Sequence, residues 1–513
     1  MTETPTPPRT SRRNVLFGVG GAALFTVAGG GAGYALADTD DKSDATPAAP
    51  AADAGQPKFR SRPDLRTLPD VTITVPANGT APGHIFLTPA SGTGLWGPLI
   101  VDDKGSPIWF RKVPDPATVA IDFKVQQYRN KPVLTWWEGT IGGTGGQGVG
   151  QGEFVIADTS YREITRVRAF GTEQADQHDF VITPRNTALF WVYDPVPFDL
   201  TAQGGPVDGV LHDGVIQEID IATGKRVFEW RARDHIKIDE SYAPLPQGDS
   251  AHLPWDYFHP NSVGLDADGH LIISARHTWG CYKINKKTGD VMWRLGGKKS
   301  DFTIGPNANF SWQHDFRRRR DGSYGMFDNG AGVTKEREYS RGLVLKLDEQ
   351  AKTATFVKEF VHPDKLSAPT QGSFRELADG GSFIGWGQMP HFTEFAPDGT
   401  VRLNGHLPKD NQSYRAYKAE WAGEPLDQPA LGLAVEGGNV TVSVSWNGST
   451  KVAKWRARAG GQPRALTAAS VEAARTGFET RLQVTGTPEY VVADALDATG
   501  KVLGTSSAIP VRV

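Results

Sequence analysis

Between Tyr257 and Gly297 short apolar runs alternate with turn residues: NSVGL, HLIISA, CYKI and VMWRL, parted by Asp268-Gly269 and Thr288-Gly289. Runs of this length bounded by such turns predict a four-stranded antiparallel meander. Pieces of it recur. A strand, an Asp or Asn turn with Gly, and then an aromatic strand appear again as LIVDDKGSPIWF, VIQEIDIATGKRVFEW and FTEFAPDGTVRL. Trp109, Trp230 and Trp293 close three copies, with FVIADTSYREITRVRAF as a diverged copy in which Phe170 stands for Trp. The spacing fits a repeat of about 60 residues. A four-stranded unit repeated about six times, with aromatics packing between units, predicts an all-β chain closed into a six-bladed β-propeller whose first strands line a central channel.

The unit openings repeat as well. Gln177-His178-Asp179-Phe180 and Gln313-His314-Asp315-Phe316 are near-identical, Phe258-His259-Pro260-Asn261 is a third version, and Gly372-Ser373-Phe374-Arg375 holds the same place in the last copy. A single histidine there would tie neighbouring blades by hydrogen bonds. Three at one repeat phase point instead to a shared funnel formed by His178, His259 and His314.

Taken in order, residues 1–37 read as a twin-arginine export signal: Arg12-Arg13 precede an apolar, glycine-rich run, and Ala35-Leu36-Ala37 offers a cleavage site. The expected location is therefore extracytoplasmic, with membrane contact only during export. Residues 38–58 read as a disordered tether. Residues 59–95 hold strands VTITV and HIFLT, either an N-terminal subdomain or the strand closing the ring. The propeller is expected over 96–420. Within it Gly139 to Gly152, with eight glycines, reads as a mobile loop. From 426 to 513 closely spaced period-two strands predict a C-terminal β-sandwich of the fibronectin or immunoglobulin type.

Composition narrows the chemistry. A formal net charge of −3 over 513 residues, without a long basic run, argues against nucleic acid as a partner. Cys281, the single cysteine, sits in an apolar run that reads as core; an internal disulfide and a cysteine-based zinc or iron–sulfur site are excluded. No short His-x-His or His-Glu-x-x-His spacing suggests a metal, and no cofactor is expected. Oligomeric state is not legible.

In order along residues 80–420, the pieces APGHIFLTP, IVDDKGSPIWF, YFHPNSV, IISARHTWGCYKINKKTGDVMWRLGG, WQHDF with FDNG, YSRGLVLKLDE and GWGQMPHFTEFAPDG resemble the secreted bacterial arylsulfotransferase family. The resemblance implies transfer of a sulfuryl group from a phenolic sulfate ester to a phenol, without a nucleotide donor, through a sulfohistidine intermediate. Neutral imidazole suits that chemistry, being nucleophilic at neutral pH and forming a labile adduct. The resemblance assigns sulfuryl contacts to His259 and His314 and the covalent role to His391. The arginine the family pattern places after FDNG is missing, since Gly330 is followed by Ala331-Gly332-Val333; Arg341 or Arg276 is expected to replace it. His277 is an alternative nucleophile, and His178 an expected funnel residue. Trp279, Trp312 and Trp386, with Trp255, Tyr257 and Phe392, are candidates for stacking on a flat phenol, although packing between blades explains aromatics at such positions too. The remaining histidines, including His212, His252, His362 and His406, read as surface or structural. Two other classes stay open: a non-catalytic secreted binding propeller, and a quinoprotein-type dehydrogenase suggested by IDIATGKRVFEW.

Overall fold

A computed structural model describes residues 58–512 other than 143–147, 172, 249–252 and 468. The export segment, nearly all of the tether, and His252 thus lie outside the described residues. Helical segments among the described residues are short 3-10 turns, and none of these is long and apolar enough to cross a membrane.

Six antiparallel four-stranded meanders follow one another, here sheets I to VI, two of them carrying a fifth strand on the outer edge. Their first strands are Tyr417–Ala419 (I, joined to His84–Leu87), Val119–Tyr128 (II), Phe180–Ile182 (III), Pro260–Leu265 (IV), His314–Arg318 (V) and Ser373–Glu376 (VI). Sheet IV is the meander expected from its hydrophobic pattern. Strands Leu271–Ala275 and Gly280–Ile284 are buried along their whole length because both faces are covered, which is why they read as unbroken apolar runs. Gly269, at φ +81°, makes the turn before them.

The outer-strand tryptophans pack between sheets. Trp109 meets Phe123 and Trp136, Trp230 stacks on His235 near Phe258, and Trp293 contacts Phe302, Phe316 and Tyr324. Phe170 does not take this role in sheet II. It lies past the end of strand Glu163–Val167 and is exposed under Arg226, and Val167 fills the buried position instead. The glycine-rich stretch differs from expectation as well. Gly139, Thr140 and Ile141 pair with Gly152, Gln151 and Gly150, so the strands of sheet II run into it from both sides. A Cβ on Gly152 would meet the Glu138 carbonyl and the Trp137 ring, so glycine there serves close packing.

Both N-terminal strands join existing sheets. Thr72–Val75 extends the outer edge of sheet VI against Val401–His406, and His84–Leu87 pairs with Tyr417–Ala419, so sheet I begins ahead of residue 96. The first strands of successive sheets adjoin, and strand Tyr417–Ala419 of sheet I lies beside both sheet II and sheet VI. Side chains tie the openings together. The Gln126 Oε1 accepts from Ile182 N (2.9 Å), Asp179 Oδ2 from Val263 N (2.9 Å) and Asp315 Oδ2 from Phe374 N (3.0 Å), Asn261 Nδ2 donates to Gln313 O (2.7 Å), and Ser373 Oγ to Ala416 O (3.0 Å).

The aspartates of the two tetrads join Asp122 in a buried network with Lys124, Arg317, Arg375 and Arg415. Arg415, just ahead of strand Tyr417–Ala419, donates to Asp179 (2.9 Å), Asp122 (3.2 Å) and the Asn261 carbonyl (2.7 Å). It therefore connects sheets I, II, III and IV. Two final sheets, of Ala430–Glu436, Asn439–Ser445 and Glu479–Val484 and of Ala469–Ala474, Lys454–Gly460, Tyr490–Leu496 and Val502–Thr505, share one core around Val442, Trp455 and Val491. They are anchored to sheets I and II. The Asn447 amide bonds both backbone groups of Phe110 (2.9 Å each), and Tyr161 Oη donates to Gly448 O (2.6 Å).

Candidate active site

His178 and His314 each stand one residue before an aspartate of the buried ionic network, His178 just ahead of strand Phe180–Ile182 and His314 at the start of a strand whose register shifts after it, with Asp315 at φ +59°. The imidazoles converge. His178 meets His259 edge-on with ring centroids 4.8 Å apart, His259 stacks on His277 at 4.5 Å, and Tyr414 lies 5.8 Å from His178 and 6.5 Å from His314. Tyr193 closes one side, 5.4 Å from His178 and 5.9 Å from His259. Sheets III, IV and V thus bring together residues separated by more than a hundred positions.

Each ring is held locally. The Asp176 Oδ1 accepts from His178 N (2.9 Å) and pairs with its Nδ1 (2.5 Å). Asp256 does the same for His259, accepting from its N (3.0 Å) and pairing with Nδ1, and its backbone carbonyl takes His277 Nδ1 (2.5 Å). This grip accompanies φ +49° at His259, a left-handed conformation uncommon outside glycine. His314 has a different partner, since its Nδ1 bonds the amide oxygen of Asn329 (2.7 Å), whose Nδ2 donates to Ala368 O (2.8 Å) and Gln371 O (3.0 Å). The histidines are therefore not the ties between sheets; neighbouring aspartates and asparagines do that work. Their ring edges are left to face one another.

Arg276 supplies the cation. Its Nη1 bonds His277 Nε2 (2.8 Å), its Nη2 donates to Pro369 O (3.0 Å), and its plane lies 4.8 Å over Trp312. Burial pushes His259, His277 and His314 well below the ordinary imidazole value, aided by His178 and Arg276 beside His259, by His259 beside His277 and by Arg276 beside His314. Burial also pushes the Arg276 guanidinium down to about 10, leaving it charged at neutral pH. The arrangement is one cation beside neutral imidazoles, suited to attack by nitrogen on an anionic centre. Asp256, His259 and His277 present ligand atoms within 4.8 Å of one another, a set able to take a transition metal and the one such group among the described residues.

The other expected site residues divide. Trp279 stacks on Tyr242 at 3.7 Å and meets Trp312 at 5.4 Å, forming an aromatic wall beside Arg276. Trp386 is fully buried between sheets V and VI, its Nε1 donating to Thr393 Oγ1 (2.9 Å); Trp255, Tyr257 and Phe392 are core as well. Arg341 is consumed by Asp328 (2.9 Å), Glu359 (2.8 Å) and the carbonyls of Asn307 and Asn309, a buried strut and not a free cation. His391 is set apart. It begins the third strand of sheet VI, in register with His406, and its ring neighbours are His406 and His362, each at 5.0 Å. Burial, with those neighbours beside it, pushes its imidazole down to about 4. Sequence reasoning missed Asp176, Asp256, Tyr193, Tyr414 and Asn329. A carboxylate two or three positions before a histidine was the legible sign of the first two.

A family model described as Arylsulfotransferase (ASST) matches residues 124–407. No curated protein matches the chain. Among solved structures, a protein of unknown function from Bacteroides caccae shares 11% identity at a TM-score of 0.39, over 65% of this chain and 98% of its own. A catalytically inactive virginiamycin B lyase from Staphylococcus aureus with quinupristin shares 9% at 0.30, over 78% and 97%. The periplasmic gluconolactonase PpgL of Pseudomonas aeruginosa shares 14% at 0.33, over 64% and 97%.

Proposed function

The chain belongs to the arylsulfotransferase (ASST) family, and from that premise we propose that it is an exported enzyme moving a sulfuryl group from a phenolic sulfate ester to a phenol, without a nucleotide donor. The observation that carries this reading is the meeting of His178, His259, His277 and His314 beside Arg276. The adjoining first strands and the closing strand Tyr417–Ala419 support a closed six-bladed propeller whose openings form the funnel, and the two final sheets a C-terminal sandwich. Export by the twin-arginine route suits a chain with one cysteine and no disulfide to form outside the cell.

We assign the covalent role to His314 in place of His391. An amide carbonyl on Nδ1 fixes the tautomer in which Nδ1 carries the proton and Nε2 the lone pair. Nε2 attacks sulfur in line, the bond from sulfur to the aryl oxygen breaks, and phenolate leaves. Charge on the sulfuryl oxygens is met by Arg276, while the half-buried Trp279 stacks on the aryl ring. The oxygen of an acceptor phenol then attacks that sulfur, the bond from sulfur to Nε2 breaks, and the His314 imidazole leaves neutral. The acceptor's proton passes to His259, whose imidazolium Asp256 holds, and goes to the next departing phenolate, so protons balance over a cycle.

Incubation of the purified protein with a chromogenic aryl sulfate, with and without phenol, tests the proposal. Acceptor-dependent release of the chromophore is expected, with mass spectrometry finding one sulfuryl group on the peptide carrying His314. Release independent of any acceptor, or a trapped sulfuryl group elsewhere, overturns it.

A further inference from the structure

The strand that opens at His314 ends at Arg318, within a run of four arginines, Arg317-Arg318-Arg319-Arg320, which the proposed reaction leaves unused. At no more than about 3.3 Å per residue the two ends of the strand lie at most about 13 Å apart. At the arginine end, Arg317, Arg318, Arg319, Phe374, Arg375 and Glu376 line a cavity of about 230 Å³.

Positive charge exceeds negative around this cavity. The buried ionic network behind it sets four cations, Lys124, Arg317, Arg375 and Arg415, against three carboxylates, Asp122, Asp179 and Asp315. At the rim Arg319 and Arg320 share Glu376, at 3.3 and 3.4 Å. Arg318 is committed to Asp266 (2.9 Å). Arg319 is 10% exposed, and its Nε and Nη1, like the Nε of Arg375, are buried without an acceptor from the protein. Guanidinium N–H groups left over in this way, from two neighbouring arginines, can each donate to an oxygen of a tetrahedral oxyanion.

We propose that this cavity binds a small oxyanion of the sulfate or phosphate class, at a site separate from the histidine cluster. The inference does not rest on the proposed sulfuryl transfer.

Calorimetric titration with sodium sulfate and sodium phosphate, at ionic strength held constant with chloride, tests it in wild type, Arg319→Gln, Arg320→Gln and His314→Ala. Binding by wild type is expected to weaken about tenfold or more in Arg319→Gln. It should persist in His314→Ala and in Arg320→Gln, which removes the same charge from an exposed position. The relative strength of the two titrations says which anion the cavity prefers. Equal binding by Arg319→Gln and wild type overturns the proposal, as does binding lost only in His314→Ala. Should Arg319→Gln fail to fold, diffraction from wild-type crystals soaked in selenate decides. An anomalous peak between Arg319 and Arg375 together with wild-type binding in solution supports the site. No peak, or a peak with no binding in solution, an adventitious ion only, overturns it.

Discussion

Replacing His314 with alanine separates catalysis from structure because the two expected magnitudes differ. The imidazole is almost fully buried, and its single described hydrogen bond is to Asn329 Oδ1. Removing it strands that oxygen, at about 1–3 kcal/mol. Asn329 keeps its two donations to Ala368 and Gln371, so the segment around it stays anchored. A domain with about 5–15 kcal/mol in hand remains folded after such a loss. Loss of the nucleophile, by contrast, should lower turnover at least about a thousandfold, equivalent to about 4 kcal/mol in the barrier. The assay is steady-state transfer from an aryl sulfate to a phenol, read beside a thermal melt. Added imidazole can enter the vacated space and should restore part of the rate in His314→Ala. His391→Ala should stay within about threefold of wild type. If His314→Ala keeps more than about a tenth of the rate while His391→Ala loses it, the assignment of the covalent role is wrong.

Three further outcomes follow from the same geometry. Asp256→Asn removes the carboxylate orienting His259 and should cut kcat about 10- to 100-fold with KM little changed; because the imidazolium loses its partner, the pH profile should shift too, and an unshifted profile would mark a merely structural role. Arg415→Met leaves Asp179 and Asp122 short of a donor ahead of strand Tyr417–Ala419 and should cost about 3–5 kcal/mol in urea unfolding; a loss under about 1 kcal/mol would show that the joined sheets do not depend on it. Acid should destabilise the protein through its depressed histidines. His259, His277 and His314 take up protons more readily unfolded than folded, so their contribution is complete above about 6.5 and is lost as pH falls below it, with His391 joining until about 4. Melting temperature measured from pH 7 to 4 should fall by more in wild type than in His277→Gln.

Local pattern determined a good deal here. Runs such as LIISA, bounded by Asp-Gly turns, specify strands and their order, because period and turn chemistry act within a few residues. The phase of the repeat also placed His178, His259 and His314 at equivalent openings, and their convergence follows from it. What the chain order could not give is which way each side chain turns and what it meets. His391 and Trp386 sit in a stretch that resembles the others, yet the first stands on a third strand beside His406 and the second packs against Phe327. Arg341 and Arg276 are equally cationic on paper. Tertiary packing alone surrounds Arg341 with Asp328 and Glu359 and leaves Arg276 beside His277. The same holds for the aspartates of the tetrads, whose partners come from five sheets and so are fixed by long-range contacts that no local sequence rule encodes.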